Sequence, residues 1–102
     1  MPTLLVVDDE PTVRHALRQG LASDALQVDA VGTGAEAIDR VARDRPDAVV
    51  LDVRLPDMSG LEVFDRVRAV APRVPVVIIT AFDAADTAIQ AMKRGAFEVL
   101  IK

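Results

Sequence analysis

The chain has 102 residues, a net charge of −4, about half of its residues apolar, and no cysteine, tryptophan or tyrosine. That suffices for one domain (1–102) with a core of Val, Leu, Ile and Ala, and it excludes disulfides and thiolate metal sites. No basic run marks a nucleic-acid surface, no stretch approaches the ~20 apolar residues of a membrane span, and no signal peptide opens the chain, so the expected compartment is the cytoplasm.

The first predicted strand reads Thr3 to Asp8. Its Leu4-Leu5-Val6-Val7 run lacks polar alternation, as a strand buried on both faces would, and it ends in Asp8-Asp9-Glu10. Pro11 suits the first position of a helix, since its missing N–H is not needed there. Val13, Ala16, Leu17, Gly20 and Leu21 then recur at helical spacing, leaving Arg14, His15, Arg18 and Gln19 off the stripe. Leu26 to Val31 alternates and reads as an edge strand. Thr33-Gly34-Ala35-Glu36 is a capping box, with Thr33 as N-cap and Glu36 reaching back. The helix it opens is expected to bury Ala37, Ile38, Val41 and Ala42, and Pro46 stops it.

Asp47 to Asp52 is the central strand: Ala48-Val49-Val50-Leu51 runs unbroken into a carboxylate. The loop from Arg54 to Gly60 follows, in which Asp57 reads as a residue that shapes its own turn. A third helix turns Leu61, Phe64, Val67, Val70 and Ala71 inward. Val76 to Ile79 is a further apolar strand ending in Thr80. A fourth helix, Asp83 to Arg94, has a thin inner stripe of Ala85, Ala88, Ile89 and Met92. Lys93 and Arg94 suit its C-terminal dipole, and Gly95 suits the residue after its end. Phe97 to Ile101 is the fifth strand, and Lys102 closes the chain.

Strands alternating with helices imply an α/β fold, a doubly wound five-stranded parallel sheet. The edge-like second strand gives the flavodoxin-like order 2-1-3-4-5, with the first and third strands adjacent at the switch point where ligands bind. One rim of that sheet then collects Asp8, Asp9, Asp52, Thr80 and Lys102. Carboxylates that close together are costly unless a cation joins them, and Mg²⁺ is the hard divalent ion that oxygen ligands suit. A carboxylate can attack phosphorus, a lysine and a divalent cation can neutralise the phosphoryl oxygens, and a hydroxyl can donate to one of them. No His, Cys or activated Ser is placed to be the nucleophile. His15 is expected to be exposed, Met58 and Met92 to be packing residues, and Arg14, Arg18, Arg40, Arg43 and Arg45 to lie on solvated helix faces. Glu10 reads either as an acid supporting the site or as a first-turn helix acid.

The segments Leu4 to Glu10, Val49 to Gly60, Ile78 to Ala81, and Gly95-Ala96-Phe97 leading to Lys102 resemble the receiver domain of two-component response regulators. The likeness covers essentially the whole chain, and its Thr-Ala-Phe and Gly-Ala-Phe segments are most similar to the nitrogen-regulator class of transcriptional activators. The resemblance implies that Asp52 is the phosphoacceptor and that Asp9 and Asp52 bind Mg²⁺ directly, with Asp8 acting through water. It implies the backbone carbonyl of Arg54 as a further metal ligand, Thr80 as the switch hydroxyl and Lys102 as the phosphate-pairing lysine. The donor would be a phosphohistidine on a sensor histidine kinase. The domain would be a phosphoacceptor switch rather than an enzyme, dimerising when phosphorylated and controlling an output domain beyond Lys102 in transcription regulation. This segment would itself contact neither nucleic acid nor membrane.

Two departures stand out. Val99 occupies the position, three before the lysine, where the family often carries Tyr or Phe. The chain also stops at Lys102, where the family continues into a fifth helix. The expectation is therefore an N-terminal fragment of a longer regulator, truncated before its last helix. Right-handed crossovers would leave one helix on one face of the sheet and three on the other, so an apolar patch is expected on the thinly covered face.

An alternative starts from Asp8-Asp9-Glu10-Pro11-Thr12, which approximates the D-x-D-x-T motif of haloacid-dehalogenase-like phosphatases with Asp8 as nucleophile. Glu10 stands where that motif has its second Asp, and Thr80-Ala81-Phe82 stands where those enzymes carry an acidic pair.

Overall fold

Val- and Ile-rich runs that offer no polar face must be covered on both sides, and a parallel sheet between helices provides that. A computed structural model describes residues 2–80 and 85–101, the side chains of Ala85 and Ala88 excepted. In chain order the elements are β1 (Thr3–Val7), α1 (Pro11–Leu21), β2 (Gln27–Val31), α2 (Gly34–Asp44), β3 (Ala48–Asp52), α3 (Gly60–Val70), β4 (Val76–Thr80), α4 (Ala85–Lys93) and β5 (Glu98–Ile101). The pairings between these strands are parallel and their order is β2-β1-β3-β4-β5, as the sequence implies.

Register positions the rim. Val7 pairs with Leu51, so Asp8 and Asp52 leave neighbouring strands at the same level. Asp52 pairs with Ile79, which brings Thr80 to that edge one strand further on.

The two faces of the sheet differ. Leu5, Val7, Val49, Leu51, Val76 and Ile78 form one face, packed with Phe64, Val63, Val67, Ala37, Val41 and Ala91 from α2, α3 and α4. On the other, α1 covers the β1–β2 side, where Val6 and Val28 are buried. There Val50 and Val77 are only half-buried, and Leu100, level with Ile79, is 53% exposed. The one-against-three division of helices thus holds among the described residues, and the apolar strip it predicts is present.

Details of phase differ from expectation. α4 turns Ala91 inward at 0% exposure, while Ile89 and Met92 are 54% and 43% exposed. In α3, Val63 joins Phe64 and Val67 in the core, and Leu61, Val70 and Ala71 sit at its margin. In α2, Ala42 is exposed and Ile38 half-buried, and none of α1 is fully buried. The capping box forms with a twist: Glu36 N donates to Thr33 Oγ1 at 3.2 Å, and the Thr33 hydroxyl is 3.1 Å from Glu36 Oε1, so the Glu36 carboxylate meets a hydroxyl rather than a backbone N–H. Gly95 ends the α4 region at φ +105°, a left-handed conformation that suits glycine. Arg68 donates to the Gly95 carbonyl at 3.0 Å and Arg94 pairs with Asp65, so α3 holds the C-terminal end of α4.

Candidate functional site

The β1 strand ends by delivering Asp8 to the rim at 0% exposure, and β3 delivers Asp52 at 3%. Burying a carboxylate needs hydrogen bonds or a cation to offset the lost hydration. Asp8 Oδ1 accepts from the backbone N–H of Glu10 at 2.9 Å, and Asp52 Oδ1 accepts from that of Arg54 at 3.0 Å. Both are carboxylate turns spanning two residues, a local use of Asp that leaves the loop backbone shaped around the acid. Carboxylate oxygens of Asp8, Asp9 and Glu10 lie within 4.8 Å of one another, with Asp9 and Glu10 exposed. Thr80 is wholly buried at the end of β4. Lys102 and the Ala81-Phe82 pair lie outside the described residues.

The loop after Asp52 is closed at its base. Gly60 N donates to Val53 O at 2.9 Å, Arg54 and Ser59 form an antiparallel bridge, and Val53 N donates to Ile79 O at 3.3 Å. Arg54, whose carbonyl the resemblance marks as a metal ligand, thus lies in the closed base of this loop, two residues past Asp52.

Two residues do more than their sequence positions suggested. Arg14 is half-buried rather than solvated: its Nη1 donates to the Asp8 carbonyl at 2.7 Å, tying α1 to the site. Asp57 shapes more than its own turn. Its two oxygens accept from Gly34 N at 2.8 Å and Ala35 N at 2.9 Å, at the start of α2. Those N–H groups, Gly34 first, hold its carboxyl below the usual carboxylate range. Among the other arginines, Arg40 bridges Asp29 and Asp44, and Arg45 adopts φ 50° and donates to Val70 O. Val99 is half-buried against the core.

The clustered carboxylates of Asp8, Asp9 and Glu10 are hard oxygen donors of the kind Mg²⁺ takes, with no sulfur or imidazole among them. Unscreened carboxylates 4–5 Å apart repel by about 1 kcal/mol per pair in a watery environment. Asp9→Asn removes one of those charges at an exposed position. In metal-free buffer it is therefore expected to unfold at higher denaturant than wild type, by up to about 1 kcal/mol. It is also expected to bind Mg²⁺ more weakly. Paired urea melts with and without Mg²⁺ check both, and a mutant less stable than wild type without metal would contradict the repulsion.

The model of the response regulator receiver domain matches residues 4–102. This chain belongs to that family. The receiver domain is 41% identical over 97 residues to the regulatory protein LuxO of Vibrio cholerae, a match spanning 95% of this chain and 21% of LuxO. It is 41% identical over 100 residues to the probable transcriptional regulatory protein TcrX of Mycobacterium tuberculosis, spanning 98% of this chain and 43% of TcrX. The chain thus spans less than half the length of these curated relatives. Among solved structures, the signal receiver domain of a LuxO repressor protein from Vibrio parahaemolyticus aligns with a TM-score of 0.90 and 32% identity, covering 99% of this chain and 78% of that one. NtrX from Brucella abortus aligns over 100% of this chain and 24% of its own with a TM-score of 0.91 and 28% identity.

Receiver domains act as phosphoacceptor switches in two-component systems, bind Mg²⁺ in the acidic pocket and work with sensor histidine kinases. Nothing in the match favours a phosphatase built on Asp8. No described helix is long and apolar enough to cross a membrane.

Proposed function

We propose that this receiver domain takes a phosphoryl group onto Asp52 and passes the change to an output that regulates transcription. The observation that carries the reading is Asp52 buried at the end of β3, level with Asp8 on the adjacent strand. A carboxylate oxygen of Asp52 attacks the phosphorus of a phosphohistidine on the sensor kinase. The P–N bond breaks and the imidazole leaves. Asp9, Asp52 and the Arg54 carbonyl, with Asp8 behind them, would hold Mg²⁺, which would supply charge neutralisation for the phosphoryl oxygens. The Thr80 hydroxyl donates to a phosphoryl oxygen and Lys102 pairs with another. Water later hydrolyses the acyl phosphate, so turnover resets the switch and acts on no separate substrate.

The response is expected in the segment after Thr80 and in α4, whose Ile89 and Met92 are exposed and whose packing rests on small side chains such as Ala91. Val99 has no aromatic ring to swing between buried and exposed positions, so α4 is the element that carries the signal. The greater length of the relatives supports a longer regulator with an output segment beyond Lys102. In this reading the regulator works in the cytoplasm and dimerises when phosphorylated.

The test is chemical. Acetyl phosphate with Mg²⁺ is expected to add one phosphoryl group, and peptide mapping to place it on Asp52. Label on Asp8 would support the phosphatase reading instead, and no label with Mg²⁺ present would overturn the proposal.

A further inference from the structure

We propose that Asp57 is a positioning residue for the metal site: its carboxylate clamps the tip of the β3–α3 loop to the start of α2 and so holds the Arg54 carbonyl in place. The inference rests on the reading of Asp52 and its neighbours as the Mg²⁺ and phosphoryl site, and it concerns a residue three positions past the metal-binding stretch.

The base and the tip of this loop are held by different means. The base is closed by the Arg54–Ser59 bridge and by Gly60 N donating to Val53 O at 2.9 Å. The tip, Pro56-Asp57-Met58, bonds across the fold. Asp57 Oδ1 accepts from Gly34 N at 2.8 Å and Oδ2 from Ala35 N at 2.9 Å, partners 23 and 22 residues earlier in the chain. These are two of the first amides of α2, which have no partner within the helix. Thr33 Oγ1 already accepts from the next one, Glu36 N, at 3.2 Å. The start of α2 is therefore capped jointly by its own N-cap residue and by a carboxylate from the loop after Asp52.

Packing supports the same clamp. A Cβ on Gly34 would come 2.5 Å from Met58 Cγ and 2.8 Å from Met58 Sδ. It would also come 2.6 Å from Val63 Cγ2 of α3, so the glycine makes room for the Met58 side chain between the two helices. Negative charge at a helix N-terminus is favourable, and the two N–H groups keep the Asp57 carboxyl below its usual range.

The consequence for the metal follows from conformational entropy. A loop held at both base and tip presents the Arg54 carbonyl already in place. A loop held only at its base must be ordered when the cation binds, and that ordering is subtracted from the affinity. Linkage is reciprocal, so Mg²⁺ binding must in turn be felt at the Gly34 and Ala35 amides. This puts the start of α2 under the influence of the phosphorylation site.

Mg²⁺ titrations of the receiver domain, followed by calorimetry and by ¹H–¹⁵N spectra, test this with D57A, D57N and T33A. D57A is expected to weaken Mg²⁺ binding about 10-fold, as loss of a partner that orients a metal ligand typically does. Its Gly34 and Ala35 amides are expected to stop responding to Mg²⁺. D57N, whose carboxamide oxygen can replace one of the two carboxylate acceptors, is expected to fall between D57A and wild type. At saturating Mg²⁺ the rate of phosphorylation by acetyl phosphate should be that of wild type, so the defect appears in the Mg²⁺ concentration required and not in the maximal rate. T33A also uncaps α2 but leaves the loop clamped, and its Mg²⁺ affinity should be unchanged. Wild-type affinity in both Asp57 variants, or an equal loss in T33A, would overturn the clamp. If wild type itself bound no Mg²⁺, the functional reading would fail first, which separates the two outcomes.

Discussion

Asp52→Asn is expected to leave a folded domain that takes up no phosphoryl group from acetyl phosphate or from a phosphorylated kinase. The substitution is nearly isosteric. The carboxamide oxygen can still accept from Arg54 N, the bond that Asp52 Oδ1 makes at 3.0 Å, so the turn at the start of the loop survives. What is lost is the anionic nucleophile: a neutral amide does not displace a leaving group from phosphorus. Removing one of the crowded negative charges also changes the electrostatics around the buried Asp8 and the exposed Asp9. Without metal the variant should be at least as stable as wild type, and with Mg²⁺ it should gain less than wild type does, because a ligand that binds only the folded state stabilises with the logarithm of its concentration over its dissociation constant. Asp52→Ala is the informative partner. It removes the acceptor for Arg54 N as well as the charge, so it should be less stable than Asp52→Asn by about 1 kcal/mol, the worth of a typical hydrogen bond. Intact-mass measurement and urea melts of the two variants check these outcomes. Label that persisted in Asp52→Asn would mean that the acceptor lies elsewhere on the rim.

The parts of this fold that were legible in the sequence are those set by strand chemistry. Val49 to Leu51 and Val76 to Ile79 have no polar face, so they had to be inner strands. The alternation of Gln27, Val28, Asp29 and Ala30 put β2 at an edge, and with that the order of the sheet followed. Polar residues placed straight after such strands are brought to one rim by the topology itself, which is why Asp8, Asp9, Asp52 and Thr80 could be named together. The phase of α4 was harder to see. Its nine residues, ADTAIQAMK, carry alanines at three positions. Where small residues can face a core from several sides, the large apolar ones do not mark the buried stripe. Ile89 and Met92 turn outward while Ala91 is buried. The roles of Arg14 and Asp57 were not legible for another reason. Each bonds a group that its own segment does not contain: the Asp8 carbonyl at the end of β1 for Arg14, the first amides of α2 for Asp57. Charged residues on a helix and in a turn look solvated until the crossing of the elements is known.

The tightest constraint on the site is steric and lies at Gly60. Here the first turn of α3 presses on the backbone that leaves Asp52. A Cβ on Gly60 would sit 2.3 Å from Val53 Cα, 2.8 Å from Val53 O and 2.9 Å from Asp52 O. All three are main-chain atoms, so no side chain can rotate away, and either α3 or the end of β3 must move. The Gly60 N–H also donates to Val53 O at 2.9 Å, which fixes the approach from the other side. Gly60→Ala is therefore expected to cost about 3 kcal/mol, the upper part of the range for forcing extra atoms into a packed site. That is a large share of the ~5–15 kcal/mol by which a native domain is stable. The cost should come with displacement of Val53 and Arg54, so Mg²⁺ affinity should fall in whatever fraction remains folded. Gly20→Ala is the control. A Cβ there meets nothing within 4 Å, and the position is in the exposed part of α1. Replacing a helical glycine by alanine in open space should stabilise by ~0.5–1 kcal/mol, because alanine loses less backbone freedom on folding. Chemical denaturation of the two variants beside wild type should thus move the midpoint in opposite directions. A Gly60→Ala domain as stable as wild type would mean that α3 can withdraw from the β3 terminus without loss, and that the packing at Gly60 does not hold Asp52 and its loop in register.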